Sequence, residues 1–223
     1  MEVIVLSLFP KMFDGFLSES IIKRAIDKNI VNIRVINFRD YSVYNNNQVD
    51  DTPYGGGAGM VLMCDPIFRC LDEIRDDGSY VVLLSPEGNR YNQEKAREYK
   101  NIKKLIIICG HYEGFDERIK EEADEIVSVG DYILTGGEIG AMAIIDSVIR
   151  LVPGVINNES LDDESFNDGL LDYPVYTKPE EYRGKKVPSI LLSGNHQKIK
   201  NYRYNERIRV TKEKRPDLLS KDV

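Results

Sequence analysis

Five short, almost uninterrupted apolar runs constrain this chain most. They are "EVIVLSLF" (2–9), "VNIRVINF" (31–38), "YVVLL" (80–84), "KLIIIC" (104–109) and "EIVSV" (125–129). A strand with one wet face alternates apolar and polar residues, so a continuous run predicts a strand covered on both faces. Helical patterns stand between the runs, in "SESIIKRAIDKN" (18–29), "DPIFRCLDEIRDD" (65–77) and "EIGAMAIIDSVIRLV" (138–152). In 65–77, Asp65 is placed as an N-cap and Pro66 in the first turn. Strand and helix in alternation predict an α/β fold with a parallel sheet.

Three of the runs lead into glycine-bearing loops: "SPEGN" (85–89), "GHYEG" (110–114) and "GDYILTGGE" (130–138). In a parallel sheet such loops emerge together at the carboxyl edge, where open α/β sheets bind ligands. One glycine loop is usually a turn, whereas three at one edge point to a small-molecule site built largely from backbone. A phosphate cradle does not fit, because the chain has neither the P-loop pattern nor a dinucleotide fingerprint after a first strand. Nucleosides and S-adenosylmethionine remain as ligands. A fourth glycine cluster, "DTPYGGGAGM" (51–60), lies in a polar stretch and lacks the lysine and strand–helix turn of a nucleotide loop.

Charge divides the chain. Residues 176–223 hold 13 Lys/Arg against 6 Asp/Glu, a net of +7, and residues 1–175 hold 17 against 31, a net of −14. A basic end on an acidic body suggests a polyanionic partner, although a solvated helical face would look the same. The stretch "NNESLDDESFNDGLLDYP" (157–174) has six carboxylates and no basic residue, and reads as an exposed, mobile linker. "NHQKIKNYRYNERIRVTKEK" (195–214) reads as a basic helix or helix pair. No apolar run approaches the ~20 residues of a membrane span, and the N-terminus lacks signal-peptide features. Three cysteines without C-x-x-C spacing fit reduced thiols in a cytoplasmic protein. Two distant histidines, His111 and His196, argue against a zinc site.

The ordered motifs "SLFPKMF", "VDDTPYGGGAGM", "LLSPEG", "CGHYEGFDERI", "VGDYILTGGE", "IDSVIRLVPGV", "ESFNDGLLDYPVYTKP", "VPSILLSGNH" and "KRPDLL" resemble the bacterial tRNA (guanine-N1)-methyltransferase family, within the knotted SPOUT superfamily. The resemblance runs from the N-terminus to about Leu219. It implies a parallel sheet with a deep trefoil knot over residues 1–156, a linker over 157–170 and a small helical tRNA-binding domain over 171–223. It implies a cytoplasmic homodimer with active sites at the subunit interface, S-adenosylmethionine as methyl donor, a Mg²⁺ requirement without a readable ligand set, and methylation of tRNA guanine 37 at N1.

Carried onto this sequence, the cofactor contacts fall on Leu83, Leu84, Ser85 and Pro86, on Gly110 and Tyr112, and on Ser128, Val129, Gly130, Tyr132, Leu134, Gly136 and Gly137. Gly140 joins them as a departure, since the family commonly has proline there. Arg150 is expected to stabilise charge on the guanine O6, and a linker carboxylate to remove the N1 proton. The family's Asp-Ser-Phe is Glu164-Ser165-Phe166 here, so Glu164 is the expected base and Asp163 the fallback. Glu113 is a candidate for the guanine edge. Asp50, Tyr54, Gly55, Gly57 and Gly59 are expected on an RNA-handling surface. Lys198, Arg203 and Arg207 are expected to meet phosphates, and His111 to be a loop or RNA-facing residue. The family often extends further beyond the final motif.

Overall fold

The structure, a computed structural model, describes residues 1–157 and 164–219. It divides into two compact units, Met1–Ile156 and Asn157–Val223.

The first unit is built on five parallel strands. They are β1 (Glu2–Leu6), β2 (Asn32–Ile36), β5 (Ser79–Arg90), β6 (Lys104–Ile108) and β7 (Glu125–Ser128). The short strands β3 (Asp50–Asp51) and β4 (Val61–Leu62) pair separately. The sheet order is β2-β1-β6-β5-β7. Successive side chains divide between two buried clusters, as a pleat requires. Val3, Val5, Val82, Leu84, Leu105 and Ile107 pack on one face. Ile4, Leu6, Val81, Leu83, Ile106 and Ile108 pack on the other. Both faces are covered, which is why these strands read as continuous apolar runs. At the sheet edge, β2 is not fully buried at any residue.

The helices that matter for the site are α1 (Asp14–Ser18), α2 (Ser20–Asp27), α3 (Cys64–Ile74), α4 (Gln93–Tyr99), α5 (Glu117–Lys120) and α6 (Glu138–Ile149). Ile67, Cys70, Leu71 and Ile74 of α3 cover one face of the sheet. Ala141, Ile144, Ile145, Val148 and Ile149 of α6 cover the other. In α3 the cap is Met63 and not Asp65, which falls in the first turn.

Strand β5 departs from expectation. It does not end at Leu84, because Asn89 and Arg90 pair with β7 again, opposite Val127 and Ser128. Val127 is also the partner of Leu84, so residues 85–88 bulge from the ladder and return. Gly88 makes the return possible. A Cβ there would lie 2.4 Å from the Val127 backbone nitrogen and 2.5 Å from the Ile126 carbonyl carbon. Backbone cannot give way as a side chain can. Gly88→Ala is therefore expected to destabilise the first unit by about 1–3 kcal/mol, read from urea unfolding.

The second unit holds a hairpin of β8 (Glu181–Tyr182) and β9 (Lys185–Lys186), then α7 (Ser189–Leu192) and α8 (His196–Lys214). The basic segment is thus one long helix, capped by the Asn195 side chain accepting from the Lys198 N–H. Among the described residues, no helix is long and apolar enough to cross a membrane.

Candidate active site

The sheet brings the three glycine loops together. The first is the bulge within β5 and the other two follow β6 and β7; the three strands are neighbours, so the loops open into one cavity of about 320 Å³. Leu84, Ser85 and Pro86 line it from the first loop. Gly110, Tyr112, Glu113 and Phe115 come from the second, and Ser128 to Gly130, Tyr132, Leu134, Gly136 and Gly137 from the third. Gly140 adds the start of α6. Of the expected cofactor contacts, Leu83 alone is absent from the lining. It is fully buried on the opposite face of the sheet, because the pleat turns it away from Leu84. Six residues not expected there, His111, Gly114, Phe115, Val127, Ile133 and Thr135, also line the cavity. Apart from Val127, on the strand run 125–129, position inside two of the family-like motifs was the sequence signal for them.

The walls meet backbone against backbone. The Gly137 N–H donates to the Gly110 carbonyl at 2.9 Å. A Cβ on Gly137 would lie 2.8 Å from Cα of Cys109 and 2.9 Å from the Gly110 nitrogen. Around Gly140 the nearest atoms are side-chain methyls of Val129 and Leu84, at 3.3 and 3.4 Å. Gly140 is the third residue of α6, where the N–H has no intrahelical acceptor, so a proline in relatives would forfeit no helix bond. The third loop folds on itself, with the Tyr132 N–H donating to the Gly130 carbonyl at 3.0 Å and the Ser128 hydroxyl to the same oxygen at 3.1 Å. An exposed ion pair between Arg90 and Asp131 joins the end of β5 to this loop.

Electrostatics separate passive groups from available ones. Burial, and then the nearby Glu138, hold the Cys109 thiol well above its ordinary range. It stays neutral and is no nucleophile. The Arg118 guanidinium hydrogen-bonded to Asp116 holds that carboxyl below the usual carboxylate range. Among the described residues, no group of three or more His, Cys, Asp or Glu side chains could hold a metal ion.

Of the glycines at 55–59, Gly59 lies against this site. Gly55, Gly56, Gly57 and Gly59 have φ of 86°, 81°, 140° and 82°, the left-handed side that side chains disfavour. Beyond Gly59 the chain is clamped to the second loop. The Glu113 N–H donates to the Met60 carbonyl at 3.0 Å, and the Leu62 N–H to the Gly114 carbonyl at 2.9 Å. The Glu113 side chain fills the space at Gly59, its Cγ 2.3 Å from where a Cβ would be. Asp50 pairs opposite Leu62 on β3, and Tyr54 is fully exposed.

Arg150 is the C-cap of α6 and is not among the lining residues. After Asn157 the described residues resume at Glu164, whose carbonyl accepts from the Asn167 N–H at 3.2 Å. Asp163 lies outside the described residues. Residues 164–172 are not the loose tether their composition suggested. The Phe166 N–H donates to the Leu170 carbonyl at 2.8 Å and the Asp172 N–H to the Ser165 hydroxyl at 2.9 Å.

Arg207 corrects an expectation. It is 7% exposed, grips both oxygens of Asp168 and donates to the Leu171 carbonyl. It pins this turn to α8 and is not offered to a phosphate. Partial burial pushes the Asp168 carboxyl up, but the Arg207 pair and the Leu170 N–H outweigh it and hold the group below the usual range. A depressed carboxyl stabilises the fold above its unfolded pKa of about 3.9, and that contribution fades as pH falls through the folded value. Arg207→Ala is therefore expected to cost about 1–3 kcal/mol at neutral pH, with the difference from wild type shrinking in acid. Thermal melts of the full chain at several pH values read this.

The other basic positions on α8 are more open. Lys198 is exposed, and the Arg203 guanidinium lies over the Tyr173 ring at 4.8 Å. Arg209 is engaged by Glu206 and Glu213.

The family described as tRNA (Guanine-1)-methyltransferase TrmD matches residues 1–221. The chain belongs to this family. Among relatives, the tRNA (guanine-N(1)-)-methyltransferase of Malacoplasma penetrans (strain HF-2) is 55% identical over 221 residues, covering 99% of this chain and 98% of the relative. The protein so named from Geobacillus kaustophilus (strain HTA426) is 54% identical over 223 residues, 98% of this chain and 91% of that one. That of Mycoplasma capricolum is 48% identical over 220 residues, covering 98% and 92%. The TrmD match extends over both compact units, so the cavity and the basic helix belong to one family-wide arrangement of sequence.

Proposed function

We propose that the chain transfers a methyl group from S-adenosylmethionine to N1 of guanine 37 in tRNA, beside the anticodon. The observation that carries this is the cavity. Three adjacent loops, closed by glycine contacts, form it within a chain that matches the TrmD family over residues 1–221. The cavity suits the cofactor. Its walls are largely backbone and apolar side chains, and glycines at 110, 136, 137 and 140 keep side-chain bulk out of it. Bound S-adenosylmethionine supplies an electrophilic methyl on a sulfonium, a leaving group needing no further activation.

The chain's residues do the rest. Guanine N1 carries a proton at neutral pH, so a base must take it, and that role falls to Glu164, with Asp163 the alternative. Negative charge then gathers on O6, where a positioned cation lowers the barrier, and that role falls to Arg150. Glu113, on the cavity wall, accepts from the N1–H and exocyclic amine edge of the base. The guanine leaves its stack to reach the site. Asp50, Tyr54 and the 55–59 loop handle RNA beside it, while Lys198 and Arg203 meet phosphate and sugar.

In this reading residues 1–156 form the knotted cofactor domain, 157–170 the linker and 171–223 the helical tRNA-binding domain. The enzyme works in the cytoplasm as a homodimer with sites at the subunit interface. The test is transfer from labelled S-adenosylmethionine to unmodified tRNA transcripts carrying guanine or adenine at position 37. Transfer to the guanine transcript alone is expected, and transfer that ignores the base would reject the reading.

A further inference from the structure

The segment "SLFP" after β1 and the histidine of "GHYEG" have no part in the scheme above, yet they meet under the cofactor cavity. Glu138, the first residue of α6, is 2% exposed, and its Oε1 accepts from the Ser7 hydroxyl at 2.7 Å. Ser7 is itself fully buried and its oxygen accepts from the Phe9 N–H at 2.9 Å. The Phe9 ring packs on His111 with centroids 4.9 Å apart. The second Glu138 oxygen, Oε2, lies 2.4 Å from the place a Cβ on Gly136 would take, and Nδ1 of His111 lies 2.8 Å from that same place. Among the described residues, His111 Nδ1 is the buried side-chain nitrogen or oxygen with no hydrogen-bond partner. Buried polar atoms are rarely left so, and a carboxylate oxygen flanks the same small volume.

We propose that Glu138 is a positioning residue for the cofactor cavity, holding Ser7 through Oε1 and His111 Nδ1–H through Oε2 once the cavity is filled. This rests on reading the cavity as the S-adenosylmethionine site. The brace ties the loop after β1 to the second and third glycine loops. It also fixes the imidazole tautomer, with the proton on Nδ1. Gly136 is glycine because the two partners need the space a side chain would take.

The chain has two histidines, so ¹⁵N-histidine labelling of this chain gives two imidazoles, with His196 assigned by His196→Gln. On adding S-adenosylmethionine, His111 is expected in the Nδ1–H tautomer. Glu138→Gln is expected to change that tautomer and weaken cofactor binding about tenfold in calorimetry, the scale of one hydrogen bond to a charged group. His111→Asn, whose amide can stand where Nδ1 stood, is expected to keep most of the affinity. His111→Gln, which mimics the other nitrogen, is expected to lose as much as Glu138→Gln. Should Glu138→Gln fail to fold, Ser7→Ala with a melting curve carries the same comparison. If the cofactor shifts the Gly110 and Gly136 amide signals while Glu138→Gln keeps the wild-type tautomer and affinity, the proposal alone falls. If it leaves those amides unmoved, the cofactor reading falls and takes the proposal with it.

Discussion

Gly137→Ala is expected to all but abolish cofactor binding, and Gly140→Ala, three residues away, to leave it nearly intact. The two glycines are alike in sequence and differ in what surrounds them. At Gly137 the added carbon meets Cα of Cys109 and the Gly110 nitrogen, both backbone atoms of the chain leaving β6. The third loop would have to lift from the second, breaking the Gly137–Gly110 hydrogen bond that closes the cavity. Displacements near 1 Å cost on the order of 100-fold in rate where alignment matters, and overpacking adds about 1–3 kcal/mol of instability. At Gly140 two methyls need yield only slightly, and alanine gains roughly 0.5–1 kcal/mol of helix preference. Calorimetric titration of each variant with S-adenosylmethionine reads the contrast. Equal affinities for both would mean the loops are not joined at Gly137.

Glu164→Gln carries the second large effect. The amide keeps the size of the side chain and removes its basicity. Single-turnover methylation is expected to slow by about 10²–10⁴, with cofactor affinity unchanged. Asp163→Asn is expected to slow it far less. The backbone at Glu164 is held in a turn. Its carbonyl is bonded within 164–170, and Arg207 pins that turn to α8 through Asp168. A Glu164→Gln enzyme as fast as wild type would remove Glu164 from the mechanism.

Much of this was legible in the sequence because burial on both sheet faces writes itself as unbroken apolar runs. That reasoning found the five strands of the sheet, and the glycines after three of them located the cavity. It could not supply sheet order, so the adjacency of β6, β5 and β7 came only with the structure. Leu83 stays out of the cavity lining for a local reason. Its motif is shared with Leu84, but a strand sends neighbours to opposite faces. Arg207 was misread because a basic helix looks solvated until one of its arginines is seen buried against Asp168, thirty-nine residues away. The return of β5 after Pro86 was hidden because a bulge held by one glycine against backbone looks like a turn. Nothing in "SLFP" announced that Ser7 would meet Glu138 across 131 residues of chain.

The central claim is that this cavity directs methyl transfer to one nitrogen of one base. Its most direct test is to methylate a tRNA transcript bearing guanine 37 with the purified chain, digest it to nucleosides and identify the product by mass spectrometry against standards. N1-methylguanosine, lost when position 37 is adenine, is the predicted result. A methyl group on another guanine atom, on ribose or on a different nucleoside would contradict the account.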